Sequence, residues 1–164
     1  MSDPRRAAAR HTIGNLIALA RAGSWDAVTG SLQLLAFAGP SCTDRLRHIL
    51  AELVELTAVT VLAKADAMGM AGAFEANLRR ADESTVDIDA LDPPLRATLR
   101  AFLAWLNGHP EDAADQVELV LRGGDQATVN AILVTMRWAI NLLDWFRHND
   151  LAAPDWFEPA DGAA

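Results

Sequence analysis

Three sets of residues in this chain have types and spacings that could do chemistry. Lys64 is the only lysine, against thirteen arginines, and by helical angle it falls in line with Leu46, Leu53 and Thr57 on an apolar helix face. An amine there suits a clamp on a ligand carboxylate or, when desolvated, the nucleophile of Schiff-base chemistry. The plainer role is a cation near a helix C-terminus, favoured by the macrodipole and free carbonyls, with its stem snorkelling to solvent. Arg147 takes the equivalent place in a second, similar helix and shares the expectation of orienting an acidic group. Asp44, His48 and Glu52 recur every fourth residue, with Glu55 near the same outward face, and Asp144 and His148 repeat the pair. Such a row could offer metal ligands from one helix, but no set from a second helix completes a site. Arg45 and Arg47 interleave with the acids, so the reading is a solvated, salt-bridged surface without metal. No cofactor is expected either.

The third set is aromatic. Over residues 125–148 one stripe (Val129, Ile132, Leu133, Met136, Ile140, Leu143) is the expected core face. Ala131, Val134, Trp138, Leu142 and Trp145 form a second apolar stripe on the other side at near-heptad spacing. A helix apolar on two faces is central in its own bundle or half of an interface. Aromatic residues are enriched in interface cores, so Val134, Trp138, Leu142 and Trp145 are read as the interface of a homo-oligomer, most simply a dimer. The tail repeats the tripeptide Asp144-Trp145-Phe146 as Asp155-Trp156-Phe157. Trp156 and Phe157 are too apolar to leave in water without cost, and they fold back on the body or dock on a neighbouring subunit.

The elements that must position these residues are helical. Alanine and leucine dominate, there is no tyrosine, and β-branched runs are few, a bias toward helix. Asp3-Pro4 starts a first helix with the stripe Ile13, Leu16, Ile17, Ala20, stopped at Gly23. Ser24 caps a short second helix carrying Val28, Leu32 and Leu35, ended by Gly39-Pro40. A third begins between Ser41 and Asp44 and runs to about Met68, with Leu46, Ile49, Leu50, Leu53 and Val61 inward. A short helix is expected from Met70 to Arg80, anchored by Phe74 and Leu78, then an acidic loop over residues 82–92. Asp92-Pro93-Pro94 restarts a helix through Leu95, Leu99, Phe102, Leu103 and Leu106. Pro110 to Leu121 is another, and after Gly123-Gly124 the residue Asp125 caps a last helix ending near His148. The fold class is therefore all-α: one domain over residues 1–164, a bundle of about six main helices.

The long, short, longer order recurs in residues 5–68 and 93–148, on either side of a connector at 69–92 and before an irregular tail at 149–164. Arg10, Thr12, Ile13, Leu16 and Ile17 match Arg96, Thr98, Leu99, Phe102 and Leu103 at one offset. This spacing predicts two similar three-helix units. The third and last helices should be the central pair. The predicted core is Leu16, Ile17, Leu46, Leu50, Leu53, Leu99, Phe102, Leu103, Ile132, Leu133, Met136 and Ile140.

Two short patterns resemble known families. Residues 46–81, with Glu52-Leu53-Val54 and an alanine-rich continuation, resemble the all-helical, oligomeric carboxymuconolactone decarboxylase and alkylhydroperoxidase D-like family. Its redox members carry Cys-x-x-Cys on the segment matching Lys64 to Met70, where this chain has no cysteine, and the histidine that follows is absent too. The resemblance implies the fold without the thiol chemistry, an enzyme on a degenerate scaffold. Arg6-Ala-Ala-Ala-Arg-His11 resembles the Arg-x4–6-His motif of HEPN ribonucleases, but it sits in the first turns rather than late in the domain.

Composition narrows what remains. A formal charge of −8 opposes nucleic-acid and anionic-lipid surfaces. The single cysteine, Cys42, forms no internal disulfide, no segment is a signal peptide or a membrane span, and a cytoplasmic location is expected. No GxGxxG, GxxxxGK[ST] or GxSxG pattern occurs. The sequence thus points first to a non-enzymatic interaction or scaffold protein assembling through the Trp138/Trp145 face. The alternative is a binder of an apolar or aromatic small molecule, lined by Met68, Met70, Phe74, Trp105 and Trp138 with Lys64 or Arg147 orienting an acid.

Overall fold

The computed structural model describes residues 3–39, 41–75, 78–79 and 84–154. Among them the chain forms six α-helices: α1 Pro4–Arg21, α2 Trp25–Phe37, α3 Cys42–Ala67, α4 Pro93–Leu106, α5 Pro110–Arg122 and α6 Asp125–His148. It is an all-α helical bundle. None of these helices is long and apolar enough to cross a membrane. The helix signals in the chain are mostly obeyed: the Asp3 carboxylate accepts the Arg5 N–H at 2.9 Å, and Pro4, which has no N–H to satisfy, opens α1. Gly23, at φ 81°, ends it in the left-handed region that glycine occupies without strain.

Two caps differ from expectation. The Ser24 side chain makes no capping hydrogen bond at α2; only its carbonyl joins the helix, accepting from the Val28 N–H at 3.1 Å. At α6 the cap is Gly124, and Asp125 is the first helical residue, where its charge still favours the positive end of the helix.

The connector departs further. No helix spans Met70 to Arg80. Residues 70–75 are irregular, and β1 (Leu78–Arg79) pairs antiparallel with β2 (Thr85–Val86), Leu78 opposite Val86 and Arg79 opposite Thr85. A single 3-10 turn, Ile88–Ala90, lies within the stretch expected to be loop. Gly69 at φ 65° and Gly72 at φ 125° turn the chain out of helical geometry twice in four residues, and alanine propensity cannot override that. Asn107, at the end of α4, then holds the connector: its amide accepts the Phe74 N–H at 3.0 Å and donates to the Phe74 carbonyl at 3.1 Å.

The long helices α3 and α6 lie against each other, and each also touches the other four α-helices, the central placing that their apolar length predicted. Leu46, Leu50, Leu53, Ile132 and Met136 are fully buried there, and Leu16, Ile17 and Leu99 nearly so. Phe102, Leu103, Leu133 and Ile140 are only half-buried. The two halves share the order of helix lengths, but α4 pairs chiefly with α5 while α1 pairs chiefly with α3.

Candidate functional site

One groove brings together three of the residues singled out by chemistry, Lys64, Trp138 and Leu142. It lies between α3, α4 and α6, has a volume of about 360 Å³, and is lined by Val61, Lys64, Leu99, Phe102, Trp138, Asn141 and Leu142. Each helix contributes for a sequence reason. Lys64 stands on the inner line of α3 in its last turn. Leu99 and Phe102 are an i, i+3 pair on the apolar face of α4. Trp138 and Leu142 are an i, i+4 pair on the second stripe of α6.

Its geometry is aromatic with one cation. The Phe102 and Trp138 rings are 5.8 Å apart at 47°, and Trp145 meets Phe146 edge to face at 5.1 Å. Lys64 Nζ lies 4.6 Å from the centre of the Trp145 ring, within range of a cation–π contact. Among the described residues no carboxylate pairs with Lys64. Asn141 adds an amide able to donate and accept. The arrangement can hold a flat or branched apolar body against Trp138 and Phe102 while an anionic group meets Lys64.

Val134, Trp138, Leu142 and Trp145 are all half-buried within this one chain. Trp138, against Phe102 of α4, and Leu142 line the groove, Val134 lines a separate depression near the start of α4, and Trp145 lies under Lys64. Arg147 is exposed at the end of α6 and does not line it. Of the other residues considered for a lining, Trp105 packs against the core, Phe74 is half-buried, and Met68 and Met70 are exposed. Trp156 and Phe157 lie outside the described residues.

The acidic row on α3 is not a solvated surface throughout. Glu52 is buried, and it receives Arg6 and Arg10, one turn apart on α1; Arg10 Nε donates to Glu52 Oε2 at 2.7 Å. Arg6 also donates to Glu55. Burial alone would lower the Arg6 pKa, but the hydrogen bonds and charges of Glu52 and Glu55 outweigh it and hold the guanidinium above its ordinary value. Asp44 and Glu118 share Arg47, whose Nε donates to Glu118 Oε1 at 2.6 Å and whose Nη1 donates to Asp44 Oδ1 at 2.9 Å. These bonds raise the Arg47 pKa, the Glu118 hydrogen bond most. The network ties α1 and α5 to α3. Opposite charges at i, i+4 on α1 and i, i+3 on α3 were the sequence signal for it, unreadable without knowing which helices meet.

The histidines are held rather than poised over an ion. His48 Nδ1 lies 2.7 Å from the Asp44 carbonyl oxygen, and His148 Nδ1 lies 2.6 Å from the Asp144 carbonyl oxygen. A carbonyl only accepts, so Nδ1 carries the proton in both rings. Among the described residues no three His, Cys, Asp or Glu side chains gather as a metal site. Arg6 of the HEPN-like hexapeptide is held by Glu52 and Glu55, and His11 lies 3.3 Å from Asn15.

Comparison of the chain with protein-family models, with curated proteins and with solved structures finds no match. The alkylhydroperoxidase D-like resemblance thus rests on residues 46–81 alone. The segment matching that family's cysteine pair runs off the end of α3, from Lys64 at the groove to exposed Met68 and Met70.

Proposed function

We propose that this chain is a binding protein for a small apolar or aromatic acid, held in the groove between α3, α4 and α6. The observation that carries the reading is the placing of Lys64: a cation without a carboxylate partner among the described residues, resting on Trp145 and lining the same groove as Trp138 and Phe102. A cavity of about 360 Å³ is within the usual range for small-molecule sites, which combine apolar walls with few, well-placed polar groups. The ammonium supplies orientation and the rings supply the apolar contact.

Native mass spectrometry of the purified protein, with a denatured spectrum of the same sample, tests this directly. A retained small molecule that leaves on denaturation supports it. Titration with 8-anilinonaphthalene-1-sulfonate, an aromatic anion, adds a defined probe. Lys64→Met should weaken its binding about tenfold, equivalent to about 1.4 kcal/mol, and Trp138→Ala should do so at least as strongly. Equal affinity in the wild type and both variants would refute the site. The rival reading, homodimerisation through Val134, Trp138, Leu142 and Trp145, draws on the part of that stripe left half-exposed. It predicts a dimer with nothing else bound, and monomers once Trp138 and Trp145 are made polar.

A further inference from the structure

The sequence from Ala27 to Thr43 contains no Asp, Glu, Lys, Arg or His, in a chain of which 22% is charged. Most of it is α2, a helix at the edge of the bundle. One face of α2 is spent on the core: Val28, Leu32 and Ala36, at i, i+4 and i+8, are buried. The outward face carries Leu34 and Phe37 beside Ala27, Gln33 and, at the first turn, Asp26. Phe37 is 80% exposed and Leu34 is 75% exposed, the two most exposed large apolar side chains among the described residues. Large apolar side chains exposed side by side mark an interaction site. Loss of charge is the compositional mark of an interface core.

Beside these two side chains lies a recess. Between α1 and α2 a depression of about 400 Å³ is walled by Leu16, Leu19, Leu34, Leu35 and Ala38. It adjoins a second of about 590 Å³ toward the start of α3, through Thr12 and Leu35, which line both. Asp44 and Arg45 stand on the rim of the second. Arg45 has no ion-pair partner among the described residues. The protruding ring and the recess that could receive it are therefore on one face, less than one helical turn apart, with an acid and a base adjacent at the edge.

We infer that this face binds a second copy of the chain, the Phe37 ring of each protomer seated in the α1–α2 recess of the other. A two-fold contact requires one patch to be complementary to itself, and a knob beside a hole meets that requirement. Two phenylalanine rings supply roughly 300–500 Å² of buried surface, with Leu34 and Leu19 of both copies added to it. That is a substantial part of the 1,200–2,000 Å² of a standard interface. The contact is independent of the α3–α4–α6 groove and leaves that groove open.

Sedimentation velocity on the full chain, from about 1 to 200 µM, reads the association directly. The wild type should be dimeric over most of that range, and Phe37→Asp and Leu34→Asp should each be monomeric, with at least a hundredfold loss of affinity. Both side chains are exposed, so circular dichroism of the variants should match the wild type. Leu62→Asp, a change at a 40% exposed position on α3, should remain a dimer. A wild type monomeric throughout would overturn the inference. So would a dimer insensitive to Phe37→Asp, or one released equally by Leu62→Asp.

Discussion

Lys64 Nζ and the Trp145 ring, eighty-one positions apart in the chain, lie 4.6 Å from each other. The contact joins the last turn of α3 to the last turns of α6, two helices packed against each other. It also fixes the ammonium at the rim of the groove. Surface cation–π contacts contribute about 0.5–1 kcal/mol, so Lys64→Met should lower unfolding free energy by no more than about 1 kcal/mol while changing Trp145 fluorescence. A loss above about 3 kcal/mol in urea titration, the size associated with breaking a buried pair, would make Lys64 a structural cation and remove it from the proposed site.

Glu52 is the buried member of the cross-helix ion network, facing Arg6 and Arg10. Glu52→Gln should cost about 2–4 kcal/mol, since it leaves two guanidinium groups without their shared anion; solvent reaching the half-exposed arginines keeps the figure below the full penalty for a buried pair. A double-mutant cycle with Arg10→Met should show coupling of roughly 1 kcal/mol or more. Additive effects would mean that the α1–α3 contact rests on packing alone.

Leu53 is fully buried and Leu34 is 75% exposed, although both are leucines on helices. Leu53→Ala should destabilise by roughly 2–5 kcal/mol. Leu34→Ala, measured on monomeric protein at low concentration, should stay within about 0.5 kcal/mol. Thermal or chemical unfolding of the two variants checks the burial pattern, and equal costs would contradict it.

Gly124 has φ 92° and ψ 175°, a region that residues with a Cβ scarcely occupy. Nothing stands within 4 Å of where its Cβ would lie, so the cost of substitution is backbone strain alone. Gly124→Ala should therefore cost about 1–3 kcal/mol. Gly23→Ala, at φ 81° with equal space, should fall at the lower end of that range. A neutral Gly124→Ala in urea titration would show that the turn into α6 relaxes.

Much of the architecture was legible in the sequence because helices announce themselves locally. The stripe Ile13, Leu16, Ile17, Ala20 is buried as its spacing requires, and the prolines and glycines at 4, 23, 93, 110 and 124 punctuate the helices close to where their backbone chemistry dictates. Local rules also failed locally: Phe74 and Leu78 suggested the anchors of a helix after Met70, but Gly69 and Gly72, both at positive φ, turn the chain away from helical geometry.

What only the tertiary structure decided is which faces meet. Lys64 was readable as a cation on an apolar face, but its place over Trp145 depends on the C-terminal turns of α3 and α6 meeting. Glu52 looked like one of a row of solvated acids until α1 crossed it with two arginines. Phe37 closes α2 and faces outward, a placing set by how α2 packs on the bundle. Helical periodicity fixes the angle of each side chain about its own axis, whereas the partner at that angle is set by interhelix packing over long sequence separations, a choice that no local pattern contains.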